Sequence, residues 1–314
     1  RQYNTLNGEL PKTKERTEFK NMIDGKVEAL PSRKIDSETC KKFNYQTGEY
    51  NGQPVHIANY YDKEAYDFEK RAGQNHVLES LRQTFRDITM TYQPKKMLEL
   101  GYGPGLDMEW FANQKGVEII HGIDLTPSFY QIVKEKADFR GDGRIVPHLG
   151  TAEDASELLG TTSVDTVIVY FGALNTTDNL DNAAQAIANV LEPGGRAVLT
   201  FVNRWYMFDI FWNLLTLRPH KALARLGPVW GGYSPTRHLP SYCPSSRTVH
   251  RAFKPYLKRV KRKGFCIVHP AWYRQQWAPQ NSLRSKIANG IDRLLQFTPF
   301  WNLGEYSLYI YERR

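Results

Sequence analysis

The heptapeptide Glu99-Leu100-Gly101-Tyr102-Gly103-Pro104-Gly105 constrains this chain more than any other segment. It follows a short apolar run, Lys96–Leu100, that reads as a strand, and it precedes an amphipathic run, Leu106–Gln114, that reads as a helix. Glycine at alternate positions lets the backbone turn sharply and approach a ligand closely. A glycine turn at the carboxyl end of a first strand is where open α/β sheets bind nucleotide-like ligands. The dinucleotide fingerprint needs a sixth-position glycine, and Leu106 stands there instead.

The surrounding pattern supplies the context. A second strand is expected over Val117–Ile123, closed by Asp124, a carboxylate able to accept both hydroxyls of a ribose. Thr126-Pro127 then reads as an N-cap with proline in the first helical position, opening a helix to about Ala137. Further strands are expected at Arg144–His148, Thr166–Phe171 and Arg196–Val202, with a helix over Asp178–Leu191 and the turn Pro193-Gly194-Gly195 between. Strands alternating with helices predict an α/β fold with a parallel sheet covered on both faces. Near the end, Ser282–Phe297 has the period of an amphipathic helix, and Tyr306–Tyr311 reads as a closing strand.

At this point the chain resembles the class I, Rossmann-like methyltransferase superfamily, in its small-molecule "methyltransferase domain" form. ELGYGPG looks like the first motif, Gly122–Pro127 the second, Gly150–Asp154 the third, and Leu191–Gly195 the turn before strand five. The resemblance spans about Tyr92 to Val202 and the terminal strand. It implies a seven-stranded, mostly parallel sheet and S-adenosyl-L-methionine as cofactor. Gly101, Gly103 and Gly105 would pass beneath the methionine part, with Glu99 fixing the loop or the amino group. Asp124 and Leu125 would hold the ribose, and Ala152 and Glu153 would meet the adenine. Tyr170 and Phe171 would flank the methionine side, and Tyr61 would close over the cofactor. No residue declares itself as a general base; His238, His250 and His269 are the nearest histidines to the expected acceptor site.

The division expected is a polar N-terminal extension over 1–56, a helical cap over 57–93, the cofactor-binding core over 94–203, an insertion acting as a lid over 204–264, and closing elements over 265–314. The extension shows no sustained period beyond a short helix around Glu15–Met22, and the cap helix is expected from His56 to Thr91. Hydrophobic residues form 41% of the chain, enough for a globular core, while no apolar run reaches the roughly 20 residues of a membrane span. Three cysteines, Cys40, Cys243 and Cys266, match no metal framework and fit a reducing, cytoplasmic setting. No metal is expected.

The insertion carries the substrate clues. From Arg204 to Phe265 there are 13 Lys and Arg against a single acid, Asp209, in a chain whose total net charge is +9. It opens with Tyr206–Leu215, apolar nearly all round, which predicts a helix buried against another part of the molecule. Tyr60, Asn175, Phe208, Phe211, Trp212 and His238 are the expected acceptor-site residues. The basic run Lys258–Lys263 predicts positive potential at the acceptor entrance, hence a small acceptor with an acidic group, a lipid-like acceptor, or contact with an anionic membrane surface. Nucleic acid is disfavoured because no recognised binding module accompanies the charge. Two alternatives stand beside this reading: a cofactor-binding regulatory or scaffold protein without catalysis, and a methyltransferase of protein or nucleic acid.

Overall fold

The computed structural model describes residues 73–177, 179–232 and 241–314 in full, and the backbone of two strands at 45–50 and 53–58. Those strands, β1 (Tyr45–Tyr50) and β2 (Gln53–Ala58), pair antiparallel, with Tyr50 opposite Gln53. The expected structureless extension is therefore corrected here, as is a cap helix beginning at His56. The overlooked signal is Asn51-Gly52, the dipeptide most favoured in two-residue hairpin links. The short helix expected around Glu15–Met22 lies outside the described residues.

The cap helix is α1 (His76–Met90), started by Asn75, whose side chain accepts the N–H groups of Val77 and Leu78. The core follows as β3 (Lys96–Leu100), α2 (Leu106–Ala112), β4 (Ile119–Asp124), α3 (Pro127–Arg140), β5 (Ile145–Leu149), α4 (Ala155–Leu159), β6 (Val164–Val169), α5 (Leu180–Val190) and β7 (Leu191–Val202). After it come α6 (Met207–Leu215), α7 (Pro219–Ala222), α8 (Ser246–Phe253), β8 (Leu257–Phe265), α9 (Leu283–Leu295) and β9 (Tyr306–Arg313).

Seven strands make one sheet in the order β5-β4-β3-β6-β7-β9-β8. β3 to β7 pair in parallel, and β9 runs antiparallel to both β7 and β8. This is the seven-stranded, mostly parallel Rossmann-like sheet that the resemblance implies; the strand–helix alternation by itself predicted its parallel part. Because side chains alternate along a strand, the sheet has two apolar faces. Leu98, Leu100, Val167, Val169 and Leu199 meet α5 and α8 on one; Met97, Ile120, Ile168 and Val198 meet α1, α2 and α3 on the other. Glu99 shares the second face with Met97, so a charged group is carried into an apolar layer.

Two local expectations change. Thr126 takes the cap position of α3, but its side chain makes no capping bond. Its backbone N–H donates instead to Asp124 Oδ1 at 2.9 Å. The α6 helix buries Asn213 alone; Phe211 is 67% exposed and Met207, Leu214 and Leu215 are exposed too. The burial predicted for it is therefore only partial.

Candidate active site

The glycine loop is held at both ends by backbone bonds. Gly101 N–H donates to the Ile123 carbonyl at 2.7 Å, and Gly105 N–H donates to the Tyr102 carbonyl at 3.0 Å. Gly101, Gly103 and Gly105 all adopt left-handed backbone, with φ of +72°, +54° and +79°. At Gly101 space is also decisive, since a Cβ there would sit 2.4 Å from Ala173 Cβ. At Gly103 the space beside the backbone is open, with its nearest neighbour, Phe129, at 3.9 Å. The loop after β3 is therefore pressed against the loop after β6 at Gly101 and left clear at Gly103.

Asp124 closes the other side. Its Oδ2 accepts the Gly103 N–H at 2.8 Å while Oδ1 accepts the Thr126 N–H. The carboxylate is only half-buried and reaches the surface of the loop. Gly150 N–H donates to the Asp124 carbonyl at 3.0 Å, which brings the turn Ala152–Asp154 alongside. Thr151 and Asp154 cap that turn reciprocally, and Thr177 donates a hydroxyl to Glu153 Oε1. Leu125, Ala152 and Glu153 are half-buried around this rim.

Behind the loop lies a charge cluster that pattern reading did not find. Arg82 and Arg86, one helical turn apart on α1, both donate to Asp107 at the start of α2; the Arg86 Nε to Asp107 Oδ1 distance is 2.6 Å. All three side chains are buried. Arg82 also lies over the Phe171 ring, 4.7 Å from its centroid, and Arg86 over Trp110 at 5.0 Å. Glu99 is 3% exposed among these groups, and its Oε2 has no hydrogen-bond partner. Burial pushes the Glu99 carboxyl well above the ordinary carboxylate range, and the negative Asp107 adds to the effect against the pull of the two arginines. An unpartnered buried oxygen costs free energy unless a ligand satisfies it. Glu99 stands on β3 two residues before Gly101, and its unpartnered oxygen suits an ammonium donor, so the residues present fit the methionine end of S-adenosylmethionine.

The other expected residues divide. Phe171 sits at this junction with a strained backbone, φ +51°, followed by Gly172 at +79°. Such strain in a bulky residue concentrates at functional loops. Tyr170 faces away: its buried hydroxyl bonds Thr89 at 2.7 Å and the Phe85 carbonyl at 3.1 Å, fastening α1 to β6. Asn175 is spent on the backbone, donating to the Val202 and Tyr242 carbonyls and accepting the Val202 N–H. It positions the loop and keeps no donor for an acceptor. Phe208 and Trp212 are half-buried and gather with Trp277 around Arg274; the Trp212–Trp277 centroids are 4.4 Å apart and Arg274 lies 4.8 Å from the Trp277 ring. Arg274 pairs with Asp209 at 2.6 Å. Phe211 points out of this cluster. Tyr60, Tyr61 and His238 lie outside the described residues.

The basic run is displaced from its expected place. Lys258–Lys263 forms most of β8, the last strand of the sheet, where Lys258 pairs with Glu312 near the amino end of β7. Three strand spacings, about 14 Å, separate β8 from β6. The run is thus an edge strand that rises from the level of Arg196 to that of Thr200 on β7, so that only Lys263 comes near the carboxyl end of the sheet. His269 is also structural, with both ring nitrogens engaged by the Pro270 carbonyl and Ser285. His250 lies on α8 beside Arg259, away from the glycine loop.

Comparison with known proteins agrees with this geometry. Residues 98–199 match the family model described as methyltransferase domain. Those residues, about a third of the chain, resemble a methyltransferase domain and include the glycine turn and Asp124. Residues 25–68 match a second model, the N-terminal a+b fold of bacteriophage T7 DNA helicase/primase. No curated protein sequence matches the chain.

Among solved structures, the chain is similar to one chain of the complex between the Haloferax volcanii Trm112 methyltransferase activator and its methyltransferase. That match has 16% identity and a TM-score of 0.50, and covers 82% of this chain and 99% of that one. It is equally similar to the [4+2]-cyclase SpnF, at 15% identity and a TM-score of 0.50, covering 75% and 80%. The N-methyltransferase NodS from Bradyrhizobium japonicum follows at 13% identity and 0.48, covering 81% and 96%. The first two likenesses agree with the fold.

Proposed function

We propose that the chain transfers the methyl group of S-adenosylmethionine to a small or lipid-like acceptor that enters beside Phe171 and the Phe208–Trp212–Trp277 cluster. The observation that carries the reading is Glu99: a buried carboxylate with an unpartnered oxygen, two residues before Gly101. When bound, the cofactor supplies an electrophilic methyl on a sulfonium. The chain's part is to orient and to exclude water. Glu99 Oε2 would accept from the cofactor ammonium, the Gly103 backbone would leave room for its chain, and Asp124 would accept from the ribose. Glu153 and Ala152 would border the adenine. Phe171 would present a ring face to positive charge, which the ring quadrupole favours. Holding acceptor and donor in line can remove up to ~7–11 kcal/mol of a bimolecular barrier.

An acidic group on the acceptor is retained in this reading for a reason other than β8. Arg274 lies within the aromatic cluster, and its Nε is buried without a hydrogen-bond partner. An apolar body against Phe208 and Trp212 with an anionic end near Arg274 suits that arrangement. The test is turnover: the protein incubated with S-adenosylmethionine and fractionated metabolite and lipid pools should release S-adenosylhomocysteine with one class of pool. Tight cofactor binding with no turnover in any pool would instead favour the non-catalytic alternative.

A second reading has its own observation. The match of residues 25–68 to a helicase/primase model is joined by a set of cations: Arg247 and Arg251 on α8, Lys254 at its end and Arg259 on β8. A nucleic-acid acceptor follows from that combination. Turnover on RNA or DNA, absent with small molecules, would select it.

A further inference from the structure

α9 is amphipathic in the opposite sense from a helix that packs on a core. Its buried side is Ser285, Ala288 and Asp292. Its outer side carries Leu283, Ile287, Ile291 and Leu294, spaced at helical intervals on one face. All four are exposed, Leu283 at 73% and Leu294 at 71%. Phe297, 88% exposed, and Phe300 extend the apolar surface beyond the helix end. Contiguous exposed apolar surface of this kind marks an interaction site.

The inner side explains why the helix holds this orientation. Asp292 accepts the backbone N–H groups of Ile267 at 3.1 Å, Val268 at 2.7 Å and His269 at 3.4 Å. Ser285 bonds the His269 ring at 3.0 Å. Polar anchors thus pin the helix by its hydrophilic side and force the leucine and isoleucine ridge outward.

The charges beside the ridge identify what meets it. Arg284, Lys286 and Arg293 are exposed along the flanks, and none is ion-paired among the described residues. The helix has one acid, Asp292, and that is buried and committed inward. A second copy of the chain docking ridge to ridge would bring these cations face to face. An apolar ridge flanked only by cations is complementary to an anionic lipid surface, where the side chains enter the acyl boundary and the cations meet headgroups.

We propose that α9, with Phe297 and Phe300, docks the protein on the surface of an anionic phospholipid bilayer. The docking is peripheral, since no helix among the described residues is long and apolar enough to cross a membrane. It involves neither the cofactor residues nor the α6 cluster, so it stands or falls apart from the proposed activity.

The test is flotation of the full chain with vesicles of phosphatidylcholine alone or with 30% phosphatidylglycerol (roughly the anionic content that gives a substantial surface potential). Wild-type protein should float with the anionic vesicles and stay behind with the neutral ones. Leu283→Gln/Ile287→Gln/Leu294→Gln should abolish flotation while leaving the melting temperature and cofactor affinity unchanged, because the replaced side chains are exposed. Arg284→Gln/Lys286→Gln/Arg293→Gln should weaken partition about tenfold or more and remove its salt dependence. Wild-type protein that fails to float, or flotation that survives the ridge substitutions, overturns the proposal. A wild-type dimer in sedimentation that the ridge substitutions dissociate also overturns it and assigns the face to a second copy.

Discussion

The Gly103 backbone N–H donates to Asp124 Oδ2 at 2.8 Å, so the carboxylate ending the second strand holds the turn that ends the first. Asp124 thus shapes the glycine loop before any ligand reaches it. Asp124→Ala should remove this bond, the one from Thr126, and any accepted from a ribose. Hydrogen bonds to charged groups are worth about 1.5–3 kcal/mol, so calorimetry should show S-adenosylmethionine binding weakened about 10- to 100-fold. Unchanged affinity would take Asp124 out of the site.

Glu99 predicts a pH signature. Its carboxyl is raised in the folded state by burial. A group raised on folding favours the native state below its unfolded value, near the ordinary 4.5, and loses that contribution as pH climbs through the folded value. Glu99→Gln removes the loss. Thermal melts should show the variant gaining on wild type as pH rises from 4 to 8, while its cofactor affinity drops. A melting difference that shrinks over that range would contradict the assignment.

Arg225 and Glu305 form a buried pair behind the carboxyl end of β7 and the amino end of β9, at 2.9 Å, with Arg225 also over the Trp230 ring at 4.7 Å. Breaking one partner leaves an uncompensated buried charge, which costs about 3–5 kcal/mol. Arg225→Met should lower denaturant stability by that order, and adding Glu305→Gln should restore part of it. Additive losses in the double variant would mean the two groups act independently.

Gly101 and Gly194 separate crowding from backbone strain. Both have positive φ, +72° and +79°. An added Cβ meets Ala173 at Gly101 and nothing within 4 Å at Gly194. Gly194→Ala should therefore cost about 1–2 kcal/mol, the left-handed penalty alone. Gly101→Ala should cost more and also impair cofactor binding, since the loop must shift. Equal melting shifts would show that the two loops yield at their contact.

Trp212 and Phe211, neighbours on α6, should behave differently. Trp212→Ala removes the Trp277 contact and a ring beside Arg274, so the acceptor Michaelis constant should rise. Phe211→Ala removes an exposed ring and should leave acceptor kinetics unchanged. The reverse outcome would move the acceptor to the outer face of α6.

The sequence by itself determined the strand–helix alternation and the order of its motifs. Glycines that must adopt positive φ and an aspartate that ends a strand are local requirements, readable from chain neighbours. The parallel pairing of β3 to β7 follows from that alternation, because each strand is linked to the next by a helix. The Asn51-Gly52 dipeptide between β1 and β2 was an equally local signal, and it was passed over.

Tertiary structure decided what depends on residues distant in the chain. Arg82 and Arg86 look like ordinary surface charges of a helix until α1 lies on α2 and buries them against Asp107, 25 and 21 residues on. Tyr170 and Asn175 stand at the motif position, but side-chain direction and hydrogen-bond partners 81 and 67 residues away commit them to scaffolding. The apolar run of α6 and the apolar period of α9 announced helices without saying which face turns inward. In α9 that was settled by Asp292 and Ser285, whose bonds to residues 267–269 hold the polar side in and leave the hydrophobic ridge to solvent. Hydrophobic periodicity reports that a helix has two faces; hydrogen bonds to the rest of the molecule fix which of them is covered.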